Sequence, residues 1–220
     1  MNISLTSDTL LGVFESYNAA IWPMQVAAYM LGAVAILLAV RKAKSSARII
    51  AAILSFLWLF TGIAFFMLAL APVFPPAYLF GGLFVIQAGI LLAEIFRPRV
   101  SFGLGRGWPS VTGLLFIVFS IVGYPLIGLL VEHRYPRSPP FGLTPCPLLV
   151  FTFGLLLLTT SRVPRRMFVI PLLCAIAGVI PIAIGMVEDV AMVAAGVVGT
   201  ALILARNARD VQPHLPSAPA

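Results

Sequence analysis

Apolar runs of membrane-crossing length fill this chain, and every second connector between them is basic. An α-helix rises about 1.5 Å per residue, so roughly 20 apolar residues cross a hydrocarbon core of ~30 Å. Seven runs read as such spans: residues 20–40, 49–71, 77–96, 110–131, 145–161, 167–186 and 190–205. Four alternate connectors, 41–48, 97–106, 162–166 and 206–209, hold twelve of the fourteen Lys and Arg residues. The opposite connectors hold only Arg134 and Arg137, together with most of the acids: Asp8, Glu15, Glu132, Glu188 and Asp189. The positive-inside rule therefore expects the N-terminus outside and the C-terminus in the cytoplasm, because a miscounted span would scramble the alternation. The fold class expected is all-α, a polytopic transmembrane helix bundle of about seven spans.

Composition agrees. The chain is 61% hydrophobic and 10% charged, with a mean hydropathy of +1.08, whereas a soluble domain is about a quarter charged. Lipid must cover what polar side chains cannot. A net charge of +7 could suit nucleic acid, but short basic clusters between apolar runs are what membrane topology requires, so nucleic acid is excluded as a partner. Residues 1–19 fall short of a span; Leu10, Phe14 and Tyr17 recur at helical spacing after Ser7-Asp8, which predicts a short interfacial helix. This segment lacks a basic stretch and is not expected to be a cleaved signal. Residues 20–209 are the transmembrane domain, and the Pro-rich tail 210–220 is expected to be disordered.

Small residues recur at helix-packing spacing: Ala28, Gly32, Ala35 and Ala39 in the first span, Cys174, Gly178, Pro181 and Gly185 in the sixth, Ala195 and Gly199 in the seventh. Close backbone approach is how lipid-embedded helices gain dispersion energy. No internal repeat of the kind found in many transporters is visible.

The residues that could carry chemistry concentrate on the outer side. Thr144-Pro145-Cys146-Pro147 puts a thiol in the first turn of the fifth span, with Thr144 as N-cap and Pro145 at the first helical position. Pro147 disfavours helical geometry at Cys146 and would delay the helix by one or two residues. His133, Glu132, Glu188 and Asp189 are expected on the same side. A thiolate and an imidazole, Cys146 with His133, could hold a soft or borderline metal ion, with the carboxylates nearby. The plain alternative is a rigid helix start with a small side chain. Asn18, Trp22, Gln25 and Tyr29 fall on one helix face, either as a wall of an outward-facing polar pocket or as an interfacial aromatic belt with a packed amide. Gln87 and Glu94 share a face of the third span; Glu94 is expected to pair at the cytoplasmic edge near Arg97. Glu188-Asp189 can cap the seventh helix, where the helix dipole favours carboxylates.

Absences narrow the classes further. The only lysines, Lys42 and Lys44, lie in a connector, so no span can form a retinal Schiff base. The only histidines are His133 and His214, too few for a paired-His haem or a three-His zinc site. The two cysteines, Cys146 and Cys174, make no Cys-x-x-Cys, and there is no Gly-x-Ser-x-Gly or phosphate loop. Enzymes are the least supported class, with His133 and Cys146 the sole Cys/His pair. No particular cofactor is indicated.

Tyr17-Asn18, Ile21-Trp22-Pro23, Gln25, the His133-x-Tyr135-Pro136 loop, Phe141-Gly142-x-Thr144-Pro145-Cys146-Pro147 running into Phe151-Thr152-Phe153-Gly154, and the late Glu188-Asp189 together resemble an uncharacterised family of small bacterial multi-pass membrane proteins, a domain-of-unknown-function family. The resemblance implies a multi-pass protein of the bacterial inner (plasma) membrane and brings no activity, ligand or catalytic residue. Two readings follow from the residues themselves. One is transport or binding of a small ligand or metal ion at an outward-facing site comprising Asn18, Trp22, Gln25, His133, Cys146, Glu188 and Asp189. The other is a non-enzymatic accessory protein that meets a membrane-protein partner, or a second copy of itself, through its small-residue faces.

Overall fold

A computed structural model describes residues 5–41, 45–105, 107–130 and 133–209. Lys42, Lys44, Arg106, Glu132, His214 and the tail 210–220 lie outside the described residues. The protein is all-helical, and six helices are long and apolar enough to cross a membrane: α1 (Ser7–Arg41), α2 (Ser46–Leu70), α3 (Ala77–Phe96), α4 (Trp108–Leu130), α6 (Arg165–Ala183) and α7 (Val187–Arg209). The remaining apolar segment, α5, is only Pro145–Leu157.

The short α5 is the centre of the bundle. Twelve of its thirteen residues are buried, and it packs against α4 through Gly113 and Gly154 and against α7 through Phe153 and Gly199. At about 1.5 Å per residue it reaches roughly 20 Å, well short of the hydrocarbon thickness. The sequence expects a span over 145–161; the structure has a shorter helix because its neighbours, not lipid, cover it. The backbone leading into it is also buried: residues 139–144 run inward without helical structure, with Gly142 at φ 72°. Non-helical backbone is tolerated at such depth only when protein covers it. Here side chains from other elements do so, Tyr17 Oη donating to Leu143 O at 2.8 Å and Thr61 Oγ1 to Gly142 O at 3.5 Å.

The far end of α5 is closed by an arginine. Carbonyls at a helix C-terminus have no partner within the helix. Arg206 of α7 donates to Leu156 O, Leu157 O and Thr159 O, and to Thr159 Oγ1 at 2.6 Å. A short antiparallel bridge between Phe102 and Thr159, and the Thr160 N–H to Ser101 O bond at 2.7 Å, tie the connector after α3 to the one after α5.

Two expected boundaries move, and one helix departs from α geometry. No break separates an N-terminal segment from the first span; α1 runs unbroken through residues 19–20. Leu10, Phe14 and Tyr17 bury the face the spacing identifies, against α2, where Phe65 stacks on Phe14 at 5.5 Å and meets Tyr17 edge-on at 5.3 Å. Pro23 lies inside α1, and the Gln25 side chain reaches back to Asn18 O and Oδ1 in that turn. The expected sixth span, 167–186, is broken: helix over Val169–Ile176, tighter turns through Gly178, then Val179–Ala183. Pro181 lacks the N–H that would continue the ladder. Finally, α2 widens to π-helix over Thr61–Leu70, and the neighbours Phe65 and Phe66 are both buried.

Most of the small-residue positions are covered within the chain, whereas Gly185 is exposed and a Cβ there would meet nothing within 4 Å. A Cβ on Gly32 would lie 2.6 Å from the Phe141 ring, one on Gly199 2.8 Å from Phe153, and one on Gly178 2.9 Å from Ala175 O and against Met192. Ala28, Ala35 and Ala39 are fully buried.

Candidate functional site

The candidate residues named above divide into three groups. Asn18 is fully buried, and its Nδ2 donates to Pro136 O at 2.5 Å and Ser138 O at 2.8 Å while its Oδ1 accepts from Gln25. Asn18 and Gln25 thus hold the loop before α5 against α1. Trp22, on the same helix, is 60% exposed, and Tyr29 leans on Phe141. The Asn18–Trp22–Gln25–Tyr29 face is a loop clamp with an outward-facing indole and forms no single pocket wall.

His133 and Glu188 make the second group. Nδ1 of His133 lies 2.9 Å from Oε1 of Glu188, whose side chain is almost wholly buried. The turn Val187–Asp189 delivers Glu188 and Asp189 into the bundle rather than to solvent. No capping bond from either side chain to α7 is found among the described hydrogen bonds. Glu188 Oε2 has no partner.

The third group is Cys146 with Asp189. Pro145 starts α5 directly, so Pro147 does not delay the helix, and Thr144 spends its hydroxyl on Pro140 O at 2.9 Å instead of capping. Because residues 145 and 147 are prolines, Cys146 alone among the first three helical residues carries an N–H. The Cys146 thiol and the Asp189 carboxyl lie beside one another and line the same cavity. Asp189 is 2% exposed, and its Oδ1 has no partner.

Sequence reasoning missed Tyr124. This buried phenol of α4 lies close to Cys146, Glu188 and Asp189. Its hydroxyl has no hydrogen-bond partner among the described residues. A phenol beside Pro125 in the middle of a span was the available signal.

Cys146 and Asp189 form the polar end of a cavity of about 80 Å³. Phe14, Phe65, Phe66 and Phe80 line it from α1, α2 and α3, and Cys174 and Ile180 from the broken α6. The widened turn of α2 brings both Phe65 and Phe66 to this wall, and the break in α6 supplies the opposite one. Ile180 is 43% exposed, so this wall also borders the outside of the bundle. The two cysteines, distant in sequence, share one cavity as free thiols. His133 and Glu188 are not among the residues lining it. Among the described residues no group of three or more His, Cys, Asp or Glu could hold a metal ion, and His133, the imidazole expected beside Cys146, is engaged by Glu188.

At the other end Glu94, 1% exposed, pairs with Arg166 and accepts the Arg99 N–H at 2.9 Å, so its partners are these and not Arg97. Gln87 is buried and donates to Met167 O at 3.2 Å. Both side chains hold connectors in place.

A family model covers residues 7–212, nearly every residue that builds these groups. The chain belongs to DUF6064, a family of unknown function. No curated protein and no solved structure matches it. The DUF6064 chain therefore has to be read from its own geometry, in which the cavity at the head of α5 is where apolar walls and unsatisfied polar atoms meet.

Proposed function

We propose that this DUF6064 protein binds a small, mainly apolar molecule in the cavity between Cys146, Asp189 and the α2 phenylalanines, as a step in moving or sensing that molecule at the membrane. The observation that carries the reading is the coincidence of an open volume with a buried carboxyl oxygen that has no partner. Buried polar groups are nearly always satisfied, and the exceptions need a reason. Apolar walls with a few convergent polar groups are the usual make-up of a small-molecule site. The accessory-protein alternative has less to stand on, because most of the small residues that motivated it are covered inside the chain.

In this reading the seven segments cross the bilayer with the N-terminus outside. Three of the four basic connectors support it, meeting at one end through Ser101–Thr160, Arg162–Asn207 and Arg206–Thr159. The cavity then faces outward, and the motif resemblance points to a bacterial plasma membrane.

Thiol chemistry tests the site. In a Cys174→Ala background, methyl methanethiosulfonate should modify Cys146 in intact membranes. Ala177→Phe, which fills the cavity, should slow the reaction at least tenfold. Equal rates in the two proteins would remove the cavity as the access route.

A further inference from the structure

We propose that the molecule taken by this cavity carries a positively charged ammonium head, which seats on Asp189 while its short apolar body lies against the phenylalanine walls. The inference rests on the binding reading above and specifies its ligand.

The argument begins with charge. Glu188 and Asp189 are adjacent and both buried, yet the His133 imidazole pairs with Glu188 alone. No ion pair to Asp189 occurs among the described residues. A buried carboxylate without a cation is costly, so such a group is paired, binds a cation or takes up a proton. Among the described residues three polar atoms in this region lack partners, Asp189 Oδ1, Glu188 Oε2 and Tyr124 Oη. Two of them are carboxyl oxygens that only accept when ionised. Of the two carboxyls, that of Asp189 lines the cavity. A cationic donor entering the cavity would supply the partner that this carboxyl lacks and hold it in its ionised form.

Shape limits the head and the body. A divalent metal is disfavoured because no third ligating side chain joins the pair among the described residues. The rest of the lining is mostly apolar and aromatic, with Phe14 and Phe65 stacked at 5.5 Å. Ring faces attract cations and also accept alkyl groups. An anion would meet the Asp189 carboxyl directly, and a hydrocarbon would leave Oδ1 without a partner. About 80 Å³ is roughly half the volume of an apolar cavity that holds benzene, which suits an alkylamine of a few carbons or the head of a longer amphiphile.

Protection of Cys146 separates the outcomes. Methyl methanethiosulfonate labelling is followed in Cys174→Ala protein in lipid nanodiscs, with n-butylamine or n-butanol present at equal concentration. The expected result is at least fivefold slowing by the amine against less than twofold by the alcohol. Asp189→Asn should erase that difference within the variant, and Asp189→Glu should keep it, which guards against a folding defect in the amide variant. Equal protection by both probes overturns the ammonium head and leaves the cavity reading intact. Protection by neither, with labelling still slowed by Ala177→Phe, also overturns it. Protection by neither together with labelling insensitive to Ala177→Phe overturns the cavity reading itself.

Discussion

His133 and Glu188 are 55 residues apart in sequence and 2.9 Å apart in space, joining the loop before α5 to the first turn of α7. Glu188 is 3% exposed, so removal of the imidazole strands a buried carboxyl. His133→Ala should cost about 1–3 kcal/mol, less than a fully enclosed ion pair because the ring itself is partly open to solvent. The double variant His133→Ala/Glu188→Gln should recover part of that loss. Thermal unfolding of the four proteins in detergent supplies the cycle; an unchanged midpoint for His133→Ala would show the pair to be incidental.

Gly113 and Gly154 let α4 and α5 touch backbone to backbone. A Cβ on Gly154 would lie 2.9 Å from Gly113 O, and one on Gly113 2.8 Å from Gly154 O. Backbone cannot swing aside as a side-chain end can. Gly154→Ala should destabilise by about 1–3 kcal/mol, whereas Gly89→Ala, which meets open space, should be neutral or slightly stabilising. Comparable losses at both positions would contradict the packing described.

Arg206 closes the C-terminus of a helix that water cannot reach. Arg206→Met would leave the Leu157 and Thr159 carbonyls without this donor, while Leu156 O keeps Thr159, and charge-assisted bonds contribute about 1.5–3 kcal/mol each before non-additivity. Arg206→Lys should fail to restore stability, since one ammonium cannot reproduce a planar fork aimed at several oxygens. Amide exchange in the last turn of α5 is the sensitive readout. Protection unchanged in Arg206→Met would mean that something else caps the helix.

How much of this was legible in the chain depends on whether lipid or protein does the covering. The apolar runs and the alternation of Arg and Lys follow directly from solvation, so six long helices sit where hydropathy puts them. Segment 145–157 reads as another span because its side chains are apolar, and nothing local reveals that neighbours bury it on every side. The break expected at residue 20 is absent because Tyr17 and Phe14 find Phe65 on α2, a contact no spacing encodes. Cys146 was identifiable from its Thr-Pro-Cys-Pro setting, and Glu188-Asp189 from being acidic between apolar runs. Their division into His133–Glu188 and Cys146–Asp189 was not, because sequence order carries no distance between helices. Asn18 and Gln25 were sorted with the site by helical phase alone, and they prove to hold a loop.

Orientation is open to a direct check. In a cysteine-free background, Ser138→Cys should react with a membrane-impermeant maleimide added outside intact cells, and Ser161→Cys only after permeabilisation. The reverse pattern would turn the protein over, and equal labelling of both from outside would break the alternation of the connectors.

The site itself is tested most directly by an experimental structure determined under xenon, which settles in open apolar cavities. The account predicts a xenon peak between Cys146, Phe65 and Ile180 that is missing in Ala177→Phe. Xenon confined to the lipid-facing surface, with the phenylalanines closed over Asp189, would contradict it.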